Sequence, residues 1–405
     1  MNNYWLDNHP FFKTNKTGDI NIFINNYSSP VYLYSKKVIY QQYDKLRKSL
    51  PDIFKIFYAQ KSNPNPEILN LLNSLNAGCD TASLGEVKSA LDAGFAPEKI
   101  MMTGPAKTEN EIRFAVQSNL HTINVESLQE LLLIDKICSE SGKKQKVLIR
   151  INPRFEAGES NRIIGGMGVS KFGIDIDYIP EVFEQAKTLN NVEIKGIHIF
   201  NSSQILDWNR IYLNIKDVID TARQLSIDFD LDFEIIDAGG GLGIPYSQEE
   251  NFLDTEKLGN ALVDLINSEN YRIFLSGKSI IMEPGRFLSG LAGIYLTKVL
   301  YTKESCGRKI LLTDGGIHHL LRPVLIGQNH PVINLSALLR SEVKIEEYLI
   351  AGPLCTSLDR FTDNTELNKS QQGDILAILN AGAYGYTESM PMFLSQTPAK
   401  EIFLD

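Results

Sequence analysis

From about residue 54 to residue 284, short apolar runs alternate with amphipathic segments. Ile53–Ala59 (IFKIFYA) has the length and composition of a buried strand. Pro66–Leu75 follows with proline at its first turn and apolar residues at helical spacing, which predicts a helix. The same couple recurs. Gly78–Ala82 precedes a helical pattern near Leu84–Ala93, Lys99–Thr103 precedes one near Glu109–Gln117, and His121–Val125 precedes Ser127–Ser139. Val147–Asn152 leads into a glycine-rich loop and a helix near Tyr178–Leu189. Ile194–Phe200 precedes Trp208–Leu225, and Phe233–Ala238 precedes a glycine run and Thr255–Asn267. Ser279–Glu283 closes the series. Eight strands, each but the last followed by a helix, fit a (β/α)8 barrel better than an open doubly wound sheet.

Past Pro284 the period changes. Gly293–Leu300, Lys309–Thr313, Pro331–Leu335, Tyr348–Ala351, Asp374–Leu379 and Glu401–Leu404 read as strands separated by turn residues, a C-terminal antiparallel β domain. Val31–Tyr34 precedes the barrel and is expected to pair with that domain. The expected division is therefore a barrel over 36–284 and a β domain built from 1–35 with 285–405.

Composition narrows the function classes. Of 405 residues, 43% are hydrophobic and 22% charged, which suits a folded globular chain. Lys+Arg 40 against Asp+Glu 49 gives a net charge of -9, opposed to a nucleic-acid-coating role. No run nears the ~18 apolar residues of a membrane span. The start, MNNYWLDNHPFFKTNKTG, has neither the basic nor the apolar region of a secretory leader. Cys79, Cys138, Cys306 and Cys355 are too few for a disulfide framework, so reduced thiols in a cytoplasm are expected.

Four features could carry chemistry. Lys61 lies just past the first barrel strand, on the face where barrel enzymes build their sites. It is either a solvated loop charge or an amine suited to Schiff-base work. Gly239, Gly240 and Gly241, in DAGGGLG after the seventh strand, form either a tight turn or a phosphate cradle. Glu283 ends the eighth strand and either meets a ligand in the barrel mouth or makes a rim salt bridge with Arg286. Cys355, in AGPLCTSLDRF, is a buried small hydrophobe or a proton donor. An imine lysine, a phosphate cradle and a carboxylate for a pyridinium nitrogen are together what pyridoxal 5'-phosphate asks of a protein. His318-His319 are adjacent and point to opposite faces of a strand, so no metal site is expected.

The motifs YAQKSN, CDTASLGEV, RINP, SKFGI, GIHIFNSSQ, DAGGGLG, EPGRF, DGG, GPLCTSLD and GAYG run nearly end to end in order. With them the chain resembles the fold-type III PLP-dependent decarboxylases, the family of ornithine, arginine and diaminopimelate decarboxylases. The resemblance implies a PLP barrel plus a C-terminal β domain, and a homodimer with active sites shared across the interface. It implies that Lys61 bonds the cofactor aldehyde and that Glu283 pairs with the ring nitrogen. Gly239, Gly240, Gly241, Ser203, Arg286 and Tyr384 would hold the phosphate, with Asp80 and Arg150 near the lysine and ring. Cys355 of a partner subunit would protonate the substrate carbanion. Asp359 and Lys171 match residues that pair across the family's dimer interface.

Departures from the family pattern bear on the substrate. Phe200 stands where a ring-stacking histidine is usual, and His198 reads as a packed barrel residue. Thr356 replaces the acid that binds a distal ammonium; Glu388 is a candidate to compensate. Arg322 keeps the position that binds a distal carboxylate in diaminopimelate decarboxylases, while Ile326 replaces its tyrosine partner. The expectation is an α-decarboxylase whose substrate has a neutral, apolar or anionic far end. It is similar to biosynthetic-cluster members such as the glutamyl-carrier-protein decarboxylase of butirosin assembly. The alternatives are a meso-diaminopimelate decarboxylase of lysine biosynthesis, an amino-acid racemase, and a non-catalytic regulatory homologue.

Overall fold

The computed structural model describes residues 4–14, 21–153 and 170–404. In chain order the strands are β1 (Val31–Ser35), β2 (Phe54–Ala59), β3 (Gly78–Thr81), β4 (Ile100–Met102), β5 (Thr122–Val125), β6 (Gln145–Asn152), β7 (Ile174–Asp175), β8 (Val192–His198), β9 (Ile235–Asp237) and β10 (Ser279–Met282). From β2 onward, with β7 set aside, these pair in parallel: β2–β3–β4–β5–β6–β8–β9–β10 and back to β2. This is the closed eight-stranded barrel expected. β7 is a two-residue strand on β6.

Local sequence explains the repeat. Side chains of Asn65, Ser83, Thr108, Ser127, Asp207 and Asp254 cap the helices that follow, and Thr108 with Glu111 forms a full capping box. Inside the barrel, Phe57, Met101, Leu148, Ile235 and Ile281 meet in one buried cluster. Each such side chain contributes roughly 1.5–3 kcal/mol by leaving water. Gly78 is required beside Phe57, because a Cβ there would lie 2.5 Å from the ring.

The β domain holds β1, β11 (Gly293–Ser305), β12 (Arg308–Thr313), β13 (Val332–Asn334), β14 (Ile345–Ala351), β15 (Arg360–Asn368), β16 (Ile375–Ile378) and β17 (Lys400–Leu404). β1 lies between β11 and β17, as its apolar run led one to expect. Most pairings are antiparallel; β1–β17 and β12–β14 are parallel, because long connections return those strands in the same direction. Alternation along β1 and β11 feeds two cores. Tyr32, Tyr34 and Tyr295 pack on one face. Val31, Leu33, Ile294 and Leu296 pack on the other, under Trp5, Phe11, Phe12 and Phe23 of the N-terminal helices. That double burial is why VYLYS reads as continuously apolar.

The chain divides into two units, residues 1–43, 244–252 and 286–405, and residues 44–243 and 253–285. No helix among the described residues is long and apolar enough to cross a membrane.

Candidate active site

In the barrel unit, the chemistry gathers at the C-terminal strand ends. Lys61 sits in a single 3-10 turn, Gln60–Ser62, directly after β2. Its Nζ lies 3.2 Å from Asp80 Oδ2, at the end of β3. Asp80 Oδ1 accepts a 2.6 Å hydrogen bond from the Thr103 hydroxyl. The Lys61 side chain is 42% exposed and that of Asp80 1%, so the amine stands at the mouth with a buried counter-charge. Its Nζ is also 6.0 Å from the centre of the Phe200 ring. Arg150, on β6, donates to Glu126 Oε1 at 2.8 Å and stacks on Phe172 at 4.7 Å. Glu126 in turn accepts the Gly104 and Gly173 N–H groups, so it fixes Arg150 against two loops.

Below the lysine lies an acid pair with a histidine. His198 and Asp237 are the last residues of β8 and β9, and Glu283 follows β10. Their donor atoms lie within 4.8 Å of one another. The Asn124 amide nitrogen donates to His198 Nδ1 at 3.2 Å, which leaves the proton on Nε2, 3.7 Å from Glu283 Oε2. Burial pushes His198 well below the usual imidazole range, so it is neutral. Burial, then the charge of Asp237, pushes Glu283 well above the carboxylate range; burial likewise pushes Asp237 up to about 7. The two acids face each other, a contact that holds only with a proton between them. Without it, Glu283 Oε1 and Asp237 Oδ2 have no donor among the described residues. The arrangement calls for a positive, proton-bearing partner.

The glycine turn is tied to the same place. Gly239 (φ +64°) and Gly241 (φ +115°) occupy the left-handed region. A Cβ on Gly240 would lie 2.5 Å from the Glu283 carbonyl oxygen, and Glu283 N–H donates to Gly239 O at 2.8 Å. The tight-turn requirement is therefore real. The N–H groups of Gly240 and Gly241 donate to no backbone acceptor among the described residues, which is compatible with the cradle expected of them. Asn201, Ser202, Asn214, Ala238 and Gly240 line a small cleft there. Ser203 is half-buried in the same 200–205 loop, which Ile205 pins to Gly241 and Gly243 through backbone bonds.

In the β-domain unit a second group forms. Arg286 donates to the Tyr246 hydroxyl at 2.9 Å and lies 5.0 Å from the centre of the Tyr384 ring. Arg322 stacks on the same ring at 4.4 Å and pairs with Glu388 at 2.7 Å. Tyr384 itself has φ +53°, a conformation that costs a non-glycine residue about 1–3 kcal/mol and that recurs at functional sites. Cys355 is exposed on the loop between β14 and β15, so it is no packed hydrophobe. The Thr356 hydroxyl oxygen accepts from Leu358 N–H at 3.3 Å within its own exposed turn. Asp359 is buried and accepts the N–H groups of Ile317 and Leu354. Within its own chain both carboxylate oxygens of Asp359 are thus engaged by backbone N–H groups.

Sequence reasoning passed over Asp237, Asn124 and Glu126, and gave His198 only a packing part. Asp237 carried the signal that found Glu283, a carboxylate at the C-terminal end of a barrel strand. Asn124 and Glu126 carried none beyond their place near the end of β5.

Residues 36–290 match the family model described as pyridoxal-dependent decarboxylase, pyridoxal binding domain. The chain is 37% identical over 363 residues to the diaminopimelate decarboxylase of Aquifex aeolicus, covering 90% of this chain and 84% of that one. It is 31% identical over 389 residues, 95% and 90% of the two chains, to the L-glutamyl-[BtrI acyl-carrier protein] decarboxylase of Niallia circulans. The solved structure of diaminopimelate decarboxylase from Helicobacter pylori, complexed with L-lysine, superposes with a TM-score of 0.85 at 30% identity, over 96% of this chain and 94% of that one. An amine over a buried acid cluster, beside a glycine cradle, in a chain so related leads to one conclusion: this protein belongs to the fold-type III pyridoxal-dependent decarboxylases and is a PLP-dependent amino-acid decarboxylase.

Proposed function

We propose that the protein removes the α-carboxylate of an amino acid whose far end carries no unpaired ammonium, with Lys61, Glu283 and Cys355 as its catalytic residues. The residues present fit the cofactor. The buried oxygens Glu283 Oε1 and Asp237 Oδ2 have no donor among the described residues, and the half-buried Gly240 and Gly241 N–H groups are free of backbone acceptors and can take an anion. When bound, pyridoxal 5'-phosphate supplies an electron sink for the pair left behind as carbon dioxide departs.

The chain's own residues do the rest. Lys61 would hold the cofactor's aldehyde through its amine, beside which Asp80 lies at 3.2 Å. Glu283, as a carboxylate, would keep the cofactor's ring nitrogen protonated by opposite-charge pairing, which would also offset the burial that pushes its pKa up. Phe200 offers an aromatic face near Lys61. The glycine N–H groups and Ser203 would take the phosphate. Arg150, braced by Glu126, keeps a fixed positive charge among the barrel's strand ends. Cys355, brought by a second copy of the chain, delivers a proton to the α-carbon.

The substrate reading rests on one observation: Arg322 already has a carboxylate partner, Glu388. With Thr356 engaged in its own turn, neither residue is set to receive a distal ammonium. A neutral far end, such as an amide or a carrier-tethered thioester, suits this arrangement. The Niallia circulans relative's name is in keeping with that class. The Aquifex aeolicus relative favours meso-diaminopimelate instead. Carbon dioxide release across amide-ended, acidic, carrier-tethered and diamino substrates separates the two. Under the proposal meso-diaminopimelate is at least about a hundredfold poorer in kcat/KM than the best substrate. A preference for it overturns the substrate reading and leaves the decarboxylase class intact.

A further inference from the structure

We infer that Asp359 is a positioning residue for Cys355, acting within its own chain. The inference rests on the reading of Cys355 as the proton donor. Loop 352–359 carries the thiol between β14 and β15. Of its residues only Leu354 and Asp359 are buried; Cys355 is exposed, and so is Leu358. The two buried residues bond to each other. Asp359 Oδ2 accepts the Leu354 N–H at 2.6 Å, while Oδ1 accepts the Ile317 N–H at 2.7 Å.

The rest of the loop closes around that carboxylate. Gly352 N–H donates to Asp359 O at 3.1 Å, Thr356 N–H to Leu354 O at 2.8 Å, and Asp359 N–H to Thr356 O at 3.2 Å. Gly316 and Gly352 flank the carboxylate so closely that a Cβ on either would run into its oxygens; at Gly352 the gap would be 2.5 Å. The glycines of DGG and AGP thus make room for one acid. That acid fixes the N–H of Leu354, the residue immediately before the thiol. An exposed thiol has no packing of its own to aim it, so its direction is set by the main chain on either side. Aspartate suits the task because both oxygens accept. Asparagine would turn a donor toward one of the two N–H groups.

The experiment uses the holoenzyme, wild type and Asp359→Asn, with Cys355→Ala as reference and Gly352→Ala as a second variant that displaces the same carboxylate. Hydrogen exchange by mass spectrometry reads the Leu354 and Ile317 amides. The product ratio of amine to aldehyde reads where the substrate carbon is protonated. Both amides are expected to exchange at least about tenfold faster in Asp359→Asn and Gly352→Ala. The aldehyde fraction is expected to rise severalfold, toward that of Cys355→Ala. Unchanged exchange in both variants, or a variant that only weakens self-association, overturns the inference in favour of an assembly role. Faster exchange with a wild-type product ratio also overturns it. If Cys355→Ala itself keeps the wild-type ratio, the donor reading of Cys355 fails and the inference falls with it; the exchange data then still tell whether the loop anchor exists.

Discussion

Buried acids set the properties of this site at the residue scale. Asp237 is pushed up to about 7, well above the usual carboxylate range, by burial first. The folded chain therefore keeps a proton that the unfolded chain gives up near pH 4. That contribution to stability is full below the unfolded value and is lost as pH rises toward 7. Asp237→Asn should thus gain thermal stability relative to wild type between pH 5 and pH 8, both as apoprotein; a constant difference in Tm would contradict the assigned proton. A second prediction concerns Glu388. Its removal in Glu388→Gln frees the Arg322 guanidinium, whose charge-assisted hydrogen bond is worth roughly 1.5–3 kcal/mol. Competition assays should show substrates ending in a carboxylate improving by about tenfold or more in kcat/KM, while amide-ended ones lose. Lys61, Glu283 and the glycines stood out as candidates because residue type and position coincide at strand ends. The Arg322–Glu388 pair was not, since nothing in a sequence says that two candidate substrate ligands will satisfy each other.

At the scale of elements, the barrel was readable because most strands hold a short buried apolar run and most of the helices between them open on a capping side chain. β15 escaped notice. RFTDNTELN is mostly polar, and only Phe361, Thr362, Leu367 and Asn368 of it turn inward. The tail of β11 is exposed in the same way, so its strand character past Leu300 was hidden. The turn after β9 is the element on which the site depends most. A Cβ on Gly240 would press on the backbone of Glu283, so Gly240→Ala is expected to destabilise by about 1–3 kcal/mol. It should also weaken retention of the cofactor on dialysis. Thermal melts and the cofactor's absorbance check the two effects separately; full retention with a normal melt would show that the turn has slack the geometry denies.

For the whole molecule, cofactor binding is coupled to folding. A ligand held only by the folded state adds RT ln(1 + [L]/Kd), about 2.7 kcal/mol at a hundred times Kd. The holoenzyme should melt well above the apoprotein, and Glu283→Gln should lose most of that gain. The proposed delivery of Cys355 by a second copy has its own test. Lys61→Ala and Cys355→Ala are each expected to be inactive or impaired alone, and mixing them after reversible dissociation should restore activity. No recovery, with mixed assemblies confirmed, would place the thiol and the lysine in one chain's site. Such assembly was beyond the reach of periodicity, because exposed residues such as Met392 and Leu358 carry no partner's name.

The central claim is that the Lys61 amine carries the cofactor. Reduction of the holoenzyme with borohydride, followed by digestion and mass spectrometry of the peptides, reads that bond directly. The expected result is a single pyridoxyl adduct on Lys61. An adduct on another lysine, or none in a protein that still turns over substrate, would contradict the account.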